Sequence, residues 1–251
     1  MHRRARHLNP RDAGATLALD SRRISGLNDS DRVGSWTDSS RSSNTPTQST
    51  VETRPIYKTA IQGGQPVVRF DGYDALYKQA NLSTVNELTI QVLVKFNNTT
   101  SRYAAFDAKT ASTNFSHFVI EQNTYNTAGQ RFAFYTSSAA HDSATATNSN
   151  FNLISVAANT TANNNIINNT TYKVNGAVSA LTLNGGSTTY QDLTALNGFM
   201  IGAFNNDGTP AYGVNLGGDL CYVTAFPAQL SNPLLKRLEH AAALSFKIAC
   251  S

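Results

Sequence analysis

The sequence predicts an all-β protein: an antiparallel two-sheet jelly-roll sandwich with a short C-terminal helix and an irregular N-terminal arm. Three observations carry that expectation. Short runs rich in Val, Ile, Phe and Tyr recur along the 251 residues, divided by Gly, Asn, Asp and Ser. Charged residues make up only 14% of the chain, well below the usual quarter, and Asn, Thr and Ser take their place. That composition suits strands and polar loops better than a helical enzyme. Helical spacing emerges clearly only near the end, after Ser231. The length allows one all-β domain, read as an arm over residues 1–15 and a sandwich over residues 16–251.

The arm carries Arg3, Arg4, Arg6 and Arg11, which account for much of the net charge of +4. The remainder is close to neutral, which argues against a nucleic-acid footprint. A local basic arm suits docking onto a partner subunit, with a solvated terminus as the alternative. Leu17 to Asp20 reads as a first strand, followed by a polar loop from Ser21 to Asp31. Trp36, the only tryptophan, is expected in the core.

Gly64 to Leu76 reads as a strand, a tight turn at Asp71-Gly72 and the start of a second segment. Leu88, Ile90, Val92, Val94 and Phe96 alternate with more polar residues and give the clearest strand, with one face turned to a core. Shorter strands are expected at Tyr103–Asp107, Phe115–Glu121, Arg131–Tyr135 and Phe151–Ala158. Asn175-Gly176 is a hairpin signal, with Leu181–Leu183 expected as the returning strand. Phe199–Phe204 and Gly218–Phe226 are the last apolar runs. Ser231-Asn232-Pro233 then starts a helix, with Leu234, Leu235, Leu238, Ala242 and Phe246 on one face.

Cys221 sits in an apolar run and Cys250 near the end, with no metal-binding spacing between them. No run approaches the roughly 20 apolar residues of a membrane span, so membrane insertion is not expected. The basic N-terminus lacks the apolar stretch of a secretion signal.

In this order the motifs bear a resemblance. Asp20, Trp36 with Asp38, Gln48-Ser49-Thr50, Arg54-Pro55, the Arg69-Phe70-Asp71-Gly72 turn and the closing Gly218-Asp219-Leu220, Phe226 and Leu238-Glu239 resemble the concanavalin A-like lectin/glucanase superfamily, in its laminin-G-like jelly-roll branch. The resemblance covers residues 15–248 and implies glycan or protein binding, in secreted adhesins and in viral or phage surface proteins. It also implies Ca²⁺ at the sandwich rim, for which Asp71, Asp74, Asp107 and Asp207 are the candidates. Asp71 and Asp74 read first as turn formers. Tyr103, Tyr125, Tyr135, Tyr190 and Tyr212 border polar loops and are the candidate glycan contacts.

Catalysis is not expected, and a glycoside hydrolase is the least favoured reading. Glucanases of the superfamily place two carboxylates on one strand, close enough to act on one bond. Here the four glutamates, Glu52, Glu87, Glu121 and Glu239, have no carboxylate partner at such spacing. The expected function is therefore a non-enzymatic structural or attachment protein at a virion surface, such as a phage decoration, fibre or tail component. A stand-alone carbohydrate-binding lectin-like module, extracellular by a non-classical route, is the alternative. Expected partners are other structural subunits through the arm, cell-surface glycans and further copies of the chain.

Overall fold

Strands form where β-branched and aromatic residues cluster, because their side chains pack well on a pleated surface. The computed structural model describes residues 8–110, 117–123, 131–136, 139–160, 167–186, 193–206, 208–210 and 214–251. In chain order the first strands are β1 (Leu17–Asp20), β2 (Ile56–Gln62), β3 (Gln65–Asp71), β4 (Leu76–Lys78), β5 (Glu87–Phe96) and β6 (Tyr103–Thr110). They continue with β7 (His117–Gln122), β8 (Arg131–Thr136), β9 (Ala139–Ala146), β10 (Asn152–Asn159), β11 (Thr170–Val174) and β12 (Ala177–Val178). The last are β13 (Leu181–Gly186), β14 (Leu196–Ile201), β15 (Asn205–Asn206), β16 (Thr209–Pro210) and β17 (Gly217–Phe226), followed by the helix α1 (Asn232–Phe246).

One sheet of eight strands runs β12-β11-β10-β5-β17-β3-β2, with β1 added to β17. A second, of seven, runs β13-β9-β8-β7-β6-β14-β4, and β15 pairs with β16 in a small third sheet. All these strand pairs are antiparallel. The expectation of a simple two-sheet jelly roll is corrected here. The described residues form three sheets, and β6 to β9 follow one another as sequential neighbours. That is a meander, whereas a jelly roll is assembled from Greek keys.

Alternation decides which side chains are shared between the two large sheets. Ile90, Val92, Val94, Val68, Phe70, Ile154, Val156 and Leu220 of the first pack with Phe106, Phe118, Ile120, Phe132, Phe199 and Ile201 of the second in one buried cluster. Trp36 joins that cluster, fully buried. The opposite face of the first sheet is also sealed. Val67, Leu93, Leu153 and Cys221 pack against Ala242 and Phe246 of α1. The central strand β5 is therefore buried on both sides, where alternation pointed to one core face.

One of two tight turns differs from expectation in what it connects. Asn175 and Gly176 both have positive φ (54° and 82°), as a tight two-residue hairpin requires. The returning strand is β12, while Leu181–Gly186 crosses to pair with β9 in the other sheet. The Asp71-Gly72 turn, with Gly72 at φ 100°, leads from one strand into a second. It passes the chain from β3 in one large sheet to β4 in the other.

Candidate active site

Cross-strand register sets the site. Asp107 on β6 pairs with Val119 on β7 and with Met200 on β14. Glu121 lies two residues beyond Val119 and pairs with Ala133 on β8, which in turn pairs with Asp142 on β9. Residues two apart on a strand share a face, and so do directly paired residues. Asp107, Glu121 and Asp142 therefore line one face of the seven-stranded sheet. It is the face away from Phe106, Phe118 and Ile120, which are in the core.

The three carboxylates are nonetheless buried. The backbone N–H of Asn205 donates to Asp107 Oδ2 at 2.7 Å. Asn184 Nδ2 donates to Asp142 Oδ2 at 2.7 Å. Arg102 Nε donates to Glu121 Oε2 at 2.7 Å, and the Arg102 guanidinium lies 5.5 Å from the centre of the Phe204 ring. Glu121 Oε1 is buried with no hydrogen-bond partner among the described residues. Burial pushes the Glu121 carboxyl up to about 7; Arg102 opposes the shift, while Asp107 and Asp142 reinforce it. Near neutral pH the row thus holds a carboxyl that retains its proton for much of the time.

The spacing has chemical meaning. Asp107 and Glu121 are diagonal neighbours on adjacent strands, positions whose backbones stand roughly 7–8 Å apart on a regular sheet. Glu121 and Asp142 are separated by β8 and stand about 10 Å apart, two strand spacings. Two carboxyls that act on one glycosidic bond with a water between them stand roughly 6.5–9.5 Å apart.

The residues singled out by sequence are distributed differently. Tyr103 is half-buried, stacks on Phe96 at 6.3 Å between ring centres, and its hydroxyl accepts from Asn98 Nδ2 at 2.8 Å. Tyr135 lies in β8, paired with Val119. Tyr125, Tyr190, Tyr212 and Asp207 fall outside the described residues, as do Arg3, Arg4 and Arg6. Arg11 is exposed in the turn that follows Asn9. Beside it, Leu8 and Ala13 pack against a cluster of Ala15, Ala18, Phe226 and Leu238.

Asp71 and Asp74 share one turn. Asp71 Oδ1 accepts from the Tyr73 N–H at 2.9 Å, and Asp74 Oδ2 from the Asp71 N–H at 3.1 Å. Burial, and then the Asp71 charge, push Asp74 up to about 7, with Arg32 only 3.6 Å away. Among the described residues no three His, Cys, Asp or Glu side chains are grouped so as to hold a metal ion.

Sequence reasoning missed the acidic row because Asp107, Glu121 and Asp142 are joined by register and not by spacing along one strand. The available signal was a carboxylate at the polar position of three separate strand segments: Ala105-Phe106-Asp107, Val119-Ile120-Glu121 and His141-Asp142.

No family model matches the chain, and no curated protein does. Solved structures do. The sialidase of Trypanosoma rangeli in complex with the inhibitor DANA matches at 10% identity and a TM-score of 0.55, over 89% of this chain and 32% of that one. A GH54 α-L-arabinofuranosidase soaked with a cyclic sulfate inhibitor matches at 10% identity and a TM-score of 0.61, over 95% and 66%. Domain 4 of AbnA, a GH43 extracellular arabinanase from Geobacillus stearothermophilus, in complex with arabinotriose, matches at 12% identity and a TM-score of 0.58, over 91% and 98%. This chain spans about a third of the length of the sialidase. The resemblance to laminin-G-like lectins, and the non-enzymatic virion-attachment and lectin-module readings that rested on it, are corrected by these matches. The structures of like fold are two glycosidases and a domain of a third.

Proposed function

We propose that the protein hydrolyses glycosidic bonds, using the carboxylate row of the seven-stranded sheet. The observation that carries the reading is the placement of Asp107 and a raised, half-orphaned Glu121 on one sheet face, on adjacent strands. Glu121 is the general acid: its proton passes to the glycosidic oxygen as the bond to the anomeric carbon breaks. Asp107 is the general base: it takes a proton from the water that attacks that carbon from the opposite side. The sugar is released with inverted configuration, and no redox step is involved. Arg102 and Asp142 hold Glu121 in place electrostatically, one lowering and the other raising its proton affinity. Two of the structures of like fold concern arabinose-containing glycans, which makes those glycans the first substrates to try.

The test is reducing-sugar release from arabinotriose and from a set of nitrophenyl glycosides, with the anomer of the product followed by NMR. Glu121→Gln and Asp107→Asn should each lower kcat by about 10²–10⁴-fold, the usual contribution of a general acid or base. No release from any substrate, binding without cleavage, or an unchanged rate in Glu121→Gln would overturn the reading.

A further inference from the structure

A second site lies on the other side of the molecule. An open groove of about 530 Å³ runs between the segment entering β10 and the residues following α1. That size falls within the roughly 300–1,000 Å³ of small-ligand sites. Its lining contains two cations, Lys95 and Lys247, and no acidic side chain. Lys95 Nζ lies 6.0 Å from the centre of the Phe151 ring. The cross-strand neighbour of Lys95, Asp219, is committed to Arg69 through bonds of 2.7 and 2.9 Å. Lys247 is exposed just past the helix end, in a left-handed conformation that fixes where its side chain leaves the backbone.

The polar wall is held in shape. Asn152 Nδ2 donates to Asn148 Oδ1 at 2.9 Å, and Asn175 Nδ2 donates to Asn152 Oδ1 at 3.0 Å. Asn150 is exposed at the lip, with its side-chain amide outside every hydrogen bond of the described residues. Phe151, half-buried, rests on the cluster beneath α1.

An aromatic ring, a free amide and two unneutralised ammonium groups in one open groove select a particular chemistry. A ring face stacks on the C–H face of a sugar, amides bond its hydroxyls, and ammonium groups bind carboxylates by charge-assisted hydrogen bonds. We infer that this groove is a binding site for acidic oligosaccharides, bearing uronate-type carboxylates, separate from the carboxylate row.

Calorimetric titration of the full chain with trigalacturonate, and with the neutral trisaccharide of the same linkage, tests it. The acidic sugar should bind at least tenfold more tightly than the neutral one. A Lys95→Gln/Lys247→Gln variant, with its fold checked by circular dichroism, should lose at least tenfold in affinity, and Asn150→Ala should also weaken binding. Glu121→Gln should bind as the parent does, which separates this site from the proposed catalytic one. Absence of heat with both sugars, equal affinities, or an unchanged titration in the double-lysine variant would overturn the inference.

Discussion

Glu121 is where the chemistry of single residues is most exposed to test. Its carboxyl is held at about 7 by burial. If it donates the proton that cleaves the bond, kcat/KM must fall as pH rises through about 7, because the deprotonated form has nothing to give. A pH–rate profile should show that limb, and a rate rising steadily to pH 9 would contradict the assignment. Asp74 offers a matching prediction for stability. Its ordinary value of 3.8 is raised to about 7 in the fold. Between those values the folded state keeps a proton that the unfolded chain has lost. Its contribution is complete below about pH 3.8 and disappears as pH rises to about 7. Urea midpoints should therefore decline over that window, and Asp74→Asn should flatten the decline. Neither shift could be read from the sequence. Asp74 looked like a turn residue, which it is, but its burial depends on neighbours brought in by the fold.

At the scale of elements, the helix shows how far a pattern can be trusted. Leu235, Leu238, Ala242 and Phe246 are buried, as their spacing requires, and Ser231 with Pro233 marks the start. Leu234, grouped with them by sequence, is only partly buried, and a charge, Glu239, occupies the buried stripe instead. Its Oε2 lies 3.3 Å from Lys173 Nζ, with the side chains 1% and 3% exposed. No helical rule places a partner 66 residues away on another element. Removing one member strands the other in the interior, so Glu239→Leu should cost about 3–5 kcal/mol. Replacing both, as Lys173→Met/Glu239→Leu, should recover most of that loss. Denaturant titration of the two variants checks both statements.

For the whole molecule, strand positions were legible and strand partners were not. The alternation of Leu88 to Phe96 located β5 to within a residue, yet nothing in it reveals that β10 and β17 flank it. The same limit hid the acidic row, which exists only through the pairing of β6 to β9. Contact between the two large sheets is close enough to be probed by one methyl group. A Cβ placed on Gly202, whose φ is 82°, would run into the Phe70 ring at Cε1 and Cδ1. Gly202→Ala should lower the thermal midpoint, since both overpacking and the left-handed backbone oppose it, at about 1–3 kcal/mol for the overpacking alone. An unchanged midpoint would show that the aromatic layer yields without cost.

The placement of β17 also bears on how the protein is made. This strand lies between β5 and β3, and beyond its stretch paired with β3 it pairs with β1, with Leu17 opposite Ala225. On a ribosome, the first strand thus emerges some two hundred residues before its neighbour. Until then β3 and β5 present unsatisfied edges that no hairpin can close. Such non-local pairing slows folding and leaves nascent chains prone to association. Synthesis rate and chaperone supply should therefore govern the yield of this protein more than its final stability does.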